Sequence, residues 1–153
     1  MNKRIHTAYQ GEQYGIAFFN HFLKLYKNEH KPTLWQTLIK VETLTAQLLE
    51  EHLIRNQLLF KSHDPEMERK GQNEAEQWLT LPWDKLTITL ANWVEPYEKK
   101  YRAWVDEASA HKDIFRLIAD HETAIYHCWQ RERKGVNGLL PLEHFLERYS
   151  EKK

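Results

Sequence analysis

The fold is decided by residues 114–129, which read IFRLIADHETAIYHCW. Large apolar side chains recur there at the spacing of one helix face: Phe115, Ile118, Ile125 and Trp129. The position that completes this stripe is Glu122. A carboxylate within an apolar stripe is costly to bury unless another group pairs with it. We therefore expect this helix to supply both core packing and the residue most informative about function.

The composition favours a single all-α domain over residues 1–153. The 153 residues are enough to bury a substantial hydrophobic core, and only five Gly and five Pro interrupt them. Lys plus Arg and Asp plus Glu each number 22, so the formal net charge is zero. This charge balance argues against nucleic acid and anionic membranes as partners, because both attract a basic excess.

The expected location is the cytoplasm. The single cysteine, Cys128, cannot form an intrachain disulfide, which fits a reducing compartment. Residues 1–6 lead into no apolar core of signal-peptide length, and no apolar run is long enough to span a bilayer.

Five helices are predicted from helical periodicity and from capping signals. The first begins after Thr7, the second covers about 34–59, and the third begins near Trp83. The fourth ends near Lys134, and a short terminal helix starts at Pro141. The segment 61–80 is predicted to be mostly a structureless connection, with a short helix over 73–78 as an option.

Glycine and proline inside two of these helices need interpretation. Gly11 and Gly15 lie one turn apart in the first helix. Either the first turns are weak, which we slightly favour, or another helix packs very close there. Pro96 removes one backbone hydrogen bond from the third helix, so we expect a kink near 92–96 or, as the less favoured option, two separate helices.

The connector lengths predict how the four long helices are arranged. Short links join the first helix to the second and the third to the fourth, which makes each pair an antiparallel hairpin. The long connection between the hairpins lets the second and third helices run parallel. The predicted architecture is therefore a four-helix bundle of two hairpins joined by one crossover, followed by a short C-terminal helix.

Three carboxylates fall on the predicted core faces of three different helices: Glu12, Glu42 and Glu122. His121 directly precedes the last of them. Carboxylate oxygens and imidazole nitrogens that project inward from a helical bundle are the ligands of iron and manganese sites. We therefore take Glu12, Glu42, His121 and Glu122 as candidate metal ligands.

The crossover topology and the inward glutamates resemble the ferritin-like superfamily. A set of short segments resembles an uncharacterised bacterial branch of it: Tyr14-Gly15, Leu81-Pro82-Trp83, His121-Glu122, Glu132, Gly135, and Pro141-Leu142 to Phe145-Leu146. The resemblance covers most of the chain. It implies a bundle that carries metal ligands in its core.

The ligand set departs from the di-iron members of that superfamily. Their pattern needs Glu-x-x-His on two helices and a lone Glu on each of the other two. In this sequence Glu42 is followed three residues later by Thr45, and Glu122 by Ile125. The resemblance therefore implies a reduced metal site rather than the usual di-iron centre.

Pairing without a metal is the alternative to ligation, and at this point we favour it. Buried glutamates can hydrogen-bond to Tyr, Trp or His, and the chain has seven Tyr and six Trp. His121 alone is more often a satisfied or half-exposed histidine than a ligand. The candidate partners of Glu122 are Tyr9, Tyr97, Tyr101 and His52.

Two functions from different classes follow. The first is a non-catalytic interaction protein with buried, paired glutamates, forming a homodimer through some of its aromatic residues: Trp35, Trp78 and Trp83. The second is a metal-dependent oxidoreductase in which the glutamates hold iron or manganese and leave a coordination position open.

A third and weaker prediction is a small molecule bound in the bundle core. Its binding cavity would be lined by aromatic side chains of the third helix: Tyr97, Tyr101 and Trp104.

Overall fold

The structure, a computed structural model, describes residues 2–150. This part of the chain contains six helices and no strand, so the all-α prediction is confirmed. None of these helices is both long enough and apolar enough to cross a bilayer. In chain order the helices are α1 (Asn2–Leu25), α2 (Pro32–Arg55), α3 (Pro65–Glu76), α4 (Trp83–Glu107), α5 (Lys112–Arg133) and α6 (Leu139–Ser150).

The four long helices α1, α2, α4 and α5 lie side by side, and aromatic contacts at one end fix their directions. Tyr26, just after α1, contacts both Trp35 at the start of α2 and Trp83 at the start of α4. Trp129, near the end of α5, also contacts Trp35. Helices α1 and α5 therefore run in one direction, and α2 and α4 run in the other.

The connection between α2 and α4 contains a helix of 12 residues, α3. Its start is capped by the side chain of Asp64, which accepts a hydrogen bond from the backbone N–H of Met67 at 3.3 Å. Helix α3 packs along α1, and a Cβ at Gly71 would lie 2.4 Å from the carbonyl oxygen of Tyr14. The prediction of a mostly structureless segment is wrong, because small residues let this polar stretch dock on α1. The optional helix over 73–78 coincides with α3 only at 73–76.

Gly15 lies well inside α1, which begins at Asn2 rather than after Thr7. A Cβ at Gly15 would lie 1.7 Å from Oε2 of Glu42, which belongs to α2. Glycine is therefore needed for the Glu42 carboxylate to reach the space between the two helices. The favoured interpretation of a weak helix start is wrong at this position.

Helix α4 is continuous through Pro96, so the option of two separate helices is wrong. Pro96 and Asn92 are both exposed. The carbonyl oxygen that loses its helical partner to Pro96 can therefore hydrogen-bond to water.

The largest aromatic cluster is inside the molecule. Trp35 is 2% exposed and stacks on Phe22, with the ring centroids 4.8 Å apart. Trp78 and Trp83 are partly buried against the same core. Trp35 therefore contributes to this chain's own packing, which removes it from the residues predicted at a dimer interface.

Candidate metal centre

Glu12 of α1, Glu42 of α2 and His121 of α5 converge between the long helices. Each offers one ligand atom, and these atoms lie within 4.8 Å of one another. The three residues are 1%, 4% and 2% exposed, respectively. Nε2 of His121 is 2.7 Å from Oε1 of Glu12 and 3.4 Å from Oε1 of Glu42. Three helices thus bring two carboxylates and one imidazole to one buried point.

Glu122 lies at the border of this group. Its Oε2 is 3.4 Å from Nε2 of His121, and its side chain is 13% exposed. Of the two alternatives to ligation expected for His121, the half-exposed one is wrong, because the residue is 2% exposed, whereas a satisfied histidine agrees with the contacts of its ring. Helix α5 packs against α2, α4 and α6, so its buried surface is wide enough to include two adjacent residues.

The ring of His121 is oriented by its other nitrogen. Nδ1 lies 2.5 Å from the carbonyl oxygen of Ile118. A carbonyl oxygen only accepts hydrogen bonds, so Nδ1 carries a proton and donates it. This bond directs Nε2 toward the carboxylates. Metal-ligating histidines usually have this arrangement, in which the second ring nitrogen donates to a backbone carbonyl or a carboxylate.

Two carboxylate oxygens at the centre of the cluster make no well-aligned hydrogen bond. Oε1 of Glu12 and Oε1 of Glu42 are buried, and neither has a hydrogen-bond partner among residues 2–150. Nε2 of His121 is close to both oxygens but makes no aligned hydrogen bond to either. Buried acceptors without donors are destabilising. The donor set therefore fits a cation, which would satisfy several of these oxygens at once.

Burial and mutual repulsion keep the carboxyl groups protonated to unusually high pH. Burial raises the pKa of Glu42 to about 7, and repulsion from Glu12 adds to the shift. Burial also raises the pKa of Glu122 to about 7, against the opposing attraction of His121. The pKa of Glu12 is raised for the same first reason, its burial.

The pKa of His121 is raised, whereas burial alone lowers the pKa of a histidine. Burial lowers its pKa, but the neighbouring carboxylates, with Glu12 foremost, raise the pKa well above the usual range. Without a metal, the cluster therefore retains protons at neutral pH. A divalent cation would have to displace them, because ligands bind metals in their deprotonated forms.

Helix α4 gives no carboxylate to the cluster. The two glutamates flanking its inner stripe accept hydrogen bonds from α5: Glu95 from the Tyr126 hydroxyl and Glu98 from the Thr123 hydroxyl, each at 2.6 Å. Thr45, at the position of a missing histidine, donates its hydroxyl to the carbonyl of its own helix at Val41, 2.8 Å away. Thr45 therefore does not take the place of the histidine that the di-iron pattern needs on α2.

Two of the four predicted hydrogen-bond partners of Glu122 are engaged elsewhere. The Tyr9 hydroxyl donates to Glu50. His52 packs against His111, with ring centroids 4.8 Å apart. These two pairings are therefore wrong, since their side chains are engaged at other places. Tyr101 is near the cluster: burial raises its pKa, and the charge of Glu122 is the next contribution.

A cavity of about 290 Å³ lies beside the cluster. Its floor consists of the four candidate ligands, and aromatic side chains form much of its wall: Tyr14, Trp93, Tyr97 and Tyr101. Trp104 was predicted to line a core cavity with two of these tyrosines. It packs edge-on against Phe115 instead, with ring centroids 6.2 Å apart, and Trp93 lies on the cavity wall.

Sequence reasoning missed two residues that shape the site, Lys70 and Lys100, and it favoured the wrong interpretation of a third, Gly15. The occurrence of Gly15 inside a helix was a usable signal, because glycine there costs about 1 kcal/mol relative to alanine. The two lysines line the cavity from α3 and α4. No sequence pattern marked them, since their position depends on how α3 docks on α1.

Comparison of the chain with protein-family models, with curated proteins and with solved structures found no match. The function is therefore argued from the cluster and its cavity.

Proposed function

We propose that the protein binds one iron or manganese ion through Glu12, Glu42, His121 and Glu122, and acts as a metal-dependent oxidoreductase on a small molecule in the adjoining cavity. The observation that carries this proposal is the meeting of ligand atoms from three helices, with two buried carboxylate oxygens that make no well-aligned hydrogen bond.

The ligand types support iron or manganese over other metals. Carboxylate oxygens favour hard cations such as manganese, and an imidazole is compatible with iron. Thiolate ligands typical of structural zinc sites do not contribute, because the sulfur of Cys128 packs near Gly138, away from the cluster. One histidine rather than two favours a single ion over a pair.

The chain's own residues would position the ion and limit its access to water. The bond from His121 to the Ile118 carbonyl fixes the ring, and Gly15 makes room for the Glu42 carboxylate. When bound, the ion supplies a coordination position at which oxygen or a substrate is activated. Tyr101 and the other aromatic wall residues would exclude bulk water from that position.

The arrangement of the long helices supports membership of the ferritin-like superfamily. Helices α2 and α4 run parallel and are joined by the long connection that contains α3. Inward glutamates on α1, α2 and α5 add to that support.

A non-catalytic protein is the second candidate, and one contact favours it. Glu12 and His121, 2.7 Å apart, can form an ion pair with no metal present. Such a protein would act through its surface, with homodimer formation as the prediction. Light scattering after size-exclusion chromatography measures this directly, and a clean monomer would contradict the dimer.

Elemental analysis of protein purified without chelators tests the metal proposal. We expect about one equivalent of iron or manganese, and a Glu42→Gln variant should retain far less. Glu51 is exposed on the same helix, so Glu51→Gln is the matched control and should keep full occupancy. Less than about a tenth of an equivalent, with no uptake of added Mn²⁺, would overturn the proposal.

A further inference from the structure

The charged residues that line the cavity are arranged by sign. Its buried floor holds the carboxylates of the cluster. Apart from these and His121, the charged residues lining the cavity are Lys70 and Lys100, which are both exposed and so lie at its solvent side. Between floor and opening, the wall is largely aromatic. The cavity is therefore negative at depth, apolar in the middle and positive at its mouth.

Neither lysine has its charge fully neutralised by a close partner. Nζ of Lys70 is 3.7 Å from Glu66, a long separation for an exposed pair. Nζ of Lys100 lies over the ring of Trp104, 5.3 Å from its centroid. The two lysines come from different helices, α3 and α4, and both side chains line the cavity.

Binding of a metal ion would leave this arrangement of charge in place. Three carboxylates around one divalent cation carry a net negative charge. This charge repels the anionic group of a ligand from the floor of the cavity. A negatively charged group on a ligand would therefore be stable at the lysines and unstable beside the cluster. An apolar group would be stable against Trp93, Tyr97 and Met67.

We propose that the cavity binds a small organic anion with an apolar body, oriented with its anionic group at Lys70 and Lys100 and its apolar end toward the cluster. This inference rests on the proposed function and names its substrate class. It also gives α3 a role, because Met67 and Lys70 lie one turn apart on that helix and both line the cavity.

The test compares 4-phenylbutyrate with the neutral 4-phenylbutanol, using ligand-observed NMR titration of the Mn²⁺-loaded protein. We expect the acid to bind at least about fivefold more tightly than the alcohol. Lys100→Gln should weaken binding of the acid about three- to fivefold, and Lys70→Gln about twofold because Glu66 shares its charge. Binding of the alcohol should not change in either variant.

Neighbouring residues provide the matched controls. Lys99→Gln removes the same charge one residue away, at a side chain that faces Glu95 at 3.5 Å instead of the cavity. Arg69→Gln likewise removes a positive charge next to Lys70, at an exposed residue that is not among those lining the cavity. Both controls should bind the acid like the unmodified protein.

Orientation is measured by the broadening that Mn²⁺ causes in the ligand's proton signals, which falls steeply with distance. We expect the phenyl protons to broaden most and the methylene next to the carboxylate least. The reverse order would overturn the proposed orientation. Equal binding of acid and alcohol, equal effects of the lysine variants and their controls, or no binding of either probe up to about 10 mM would overturn the substrate class.

Failure of the proposed function would be seen separately. A prior titration of Mn²⁺ followed by electron paramagnetic resonance shows whether the ion binds at all. If it does not, the metal proposal fails. The titrations with the acid and the alcohol are then repeated on the metal-free protein and its lysine variants. They show whether the cavity still prefers an anionic ligand.

Discussion

Two buried carboxylates in this protein have opposite surroundings. Glu132, near the end of α5, is 8% exposed and both of its oxygens have donors: Lys31 at 3.3 Å and the backbone N–H of Gly138 at 2.7 Å. Glu42 is 4% exposed, and its Oε1 has no donor. Each side chain lies against a glycine: a Cβ at Gly15 would be 1.7 Å from Oε2 of Glu42, and a Cβ at Gly138 would be 2.9 Å from Cγ of Glu132. Burial and close packing are therefore common to both, and the supply of donors separates a structural carboxylate from a candidate ligand.

Replacing Gly15 by alanine should have the largest effect on the Glu42 side of this comparison. The new Cβ would occupy the position of Oε2, so the carboxylate must leave the cluster. We expect Mn²⁺ affinity to fall about 100-fold, measured by competition with a chelator, while the fold is retained. Gly11→Ala is the control, because its Cβ would meet only the Tyr101 hydroxyl at an ordinary 3.7 Å. Equal affinities of the two variants would contradict the assignment of Glu42.

The pH dependence of the metal-free protein should show how burial affects the carboxyl groups of the cluster. The pKa of Glu42 and that of Glu122 are raised from 4.5 to about 7 on folding, so the folded state holds more protons than the unfolded state in that range. The stabilisation is complete below pH 4.5 and is lost as the pH rises through 7. The raised pKa of His121 acts in the same direction, above its ordinary 6.5. Urea unfolding at pH 5 and pH 8 should differ by roughly 5 kcal/mol for the two carboxyl groups together, with the protein less stable at pH 8.

Metal affinity should have the opposite pH dependence. The ligands must lose their protons to bind, so Mn²⁺ should raise the melting temperature more at pH 8 than at pH 6. Stabilisation by Mn²⁺ that does not increase with pH would place the ion away from these groups.

Glu132→Gln tests the satisfied carboxylate. The variant leaves Lys31 without its partner and weakens the acceptor of the Gly138 N–H, so we expect a loss of about 2 kcal/mol in unfolding free energy. Metal affinity should be unchanged, since this side chain is not among the ligands. Glu143→Gln on α6 is an exposed control and should change stability by less than about 0.5 kcal/mol.

Glu42→Gln should have the smallest effect on stability and the opposite sign. Without metal at pH 8, the amide removes one of several mutually repelling charges from a buried site. We expect a gain of about 1 kcal/mol in unfolding free energy, together with loss of metal binding. A large loss of stability instead would mean that Glu42, like Glu132, has a structural role.

The sequence predicted the helical class because its apolar residues repeat at helical spacing over long segments, as at Phe115, Ile118, Ile125 and Trp129. It offered only an optional short helix over 73–78 in place of α3, since that helix is polar and is held by a cap at Asp64 and by close contact at Gly71. Hydrophobic periodicity detects a helix by its apolar face. A helix that packs through small residues has almost no apolar face.

For the site, the stripes correctly placed Glu12 and Glu42 on buried faces. They did not show that His121 would be at the centre, because a stripe analysis allows one inward position per turn and α5 is covered on several sides. The donors that Glu42 lacks and Glu132 has could not be read from the sequence either. They depend on three-dimensional contacts with residues as distant as 31.

The docking of α3 also has a consequence for redesign. The residues that hold this helix in place, Gly71 and Ala75, are buried against α1, while Met67 and Lys70 reach the cavity one turn earlier. The anchoring turn and the ligand-facing turn are thus separate stretches of the same short segment. Exchanging residues 66–70 alone would change which ligands the cavity accepts and leave the buried core of the protein unchanged.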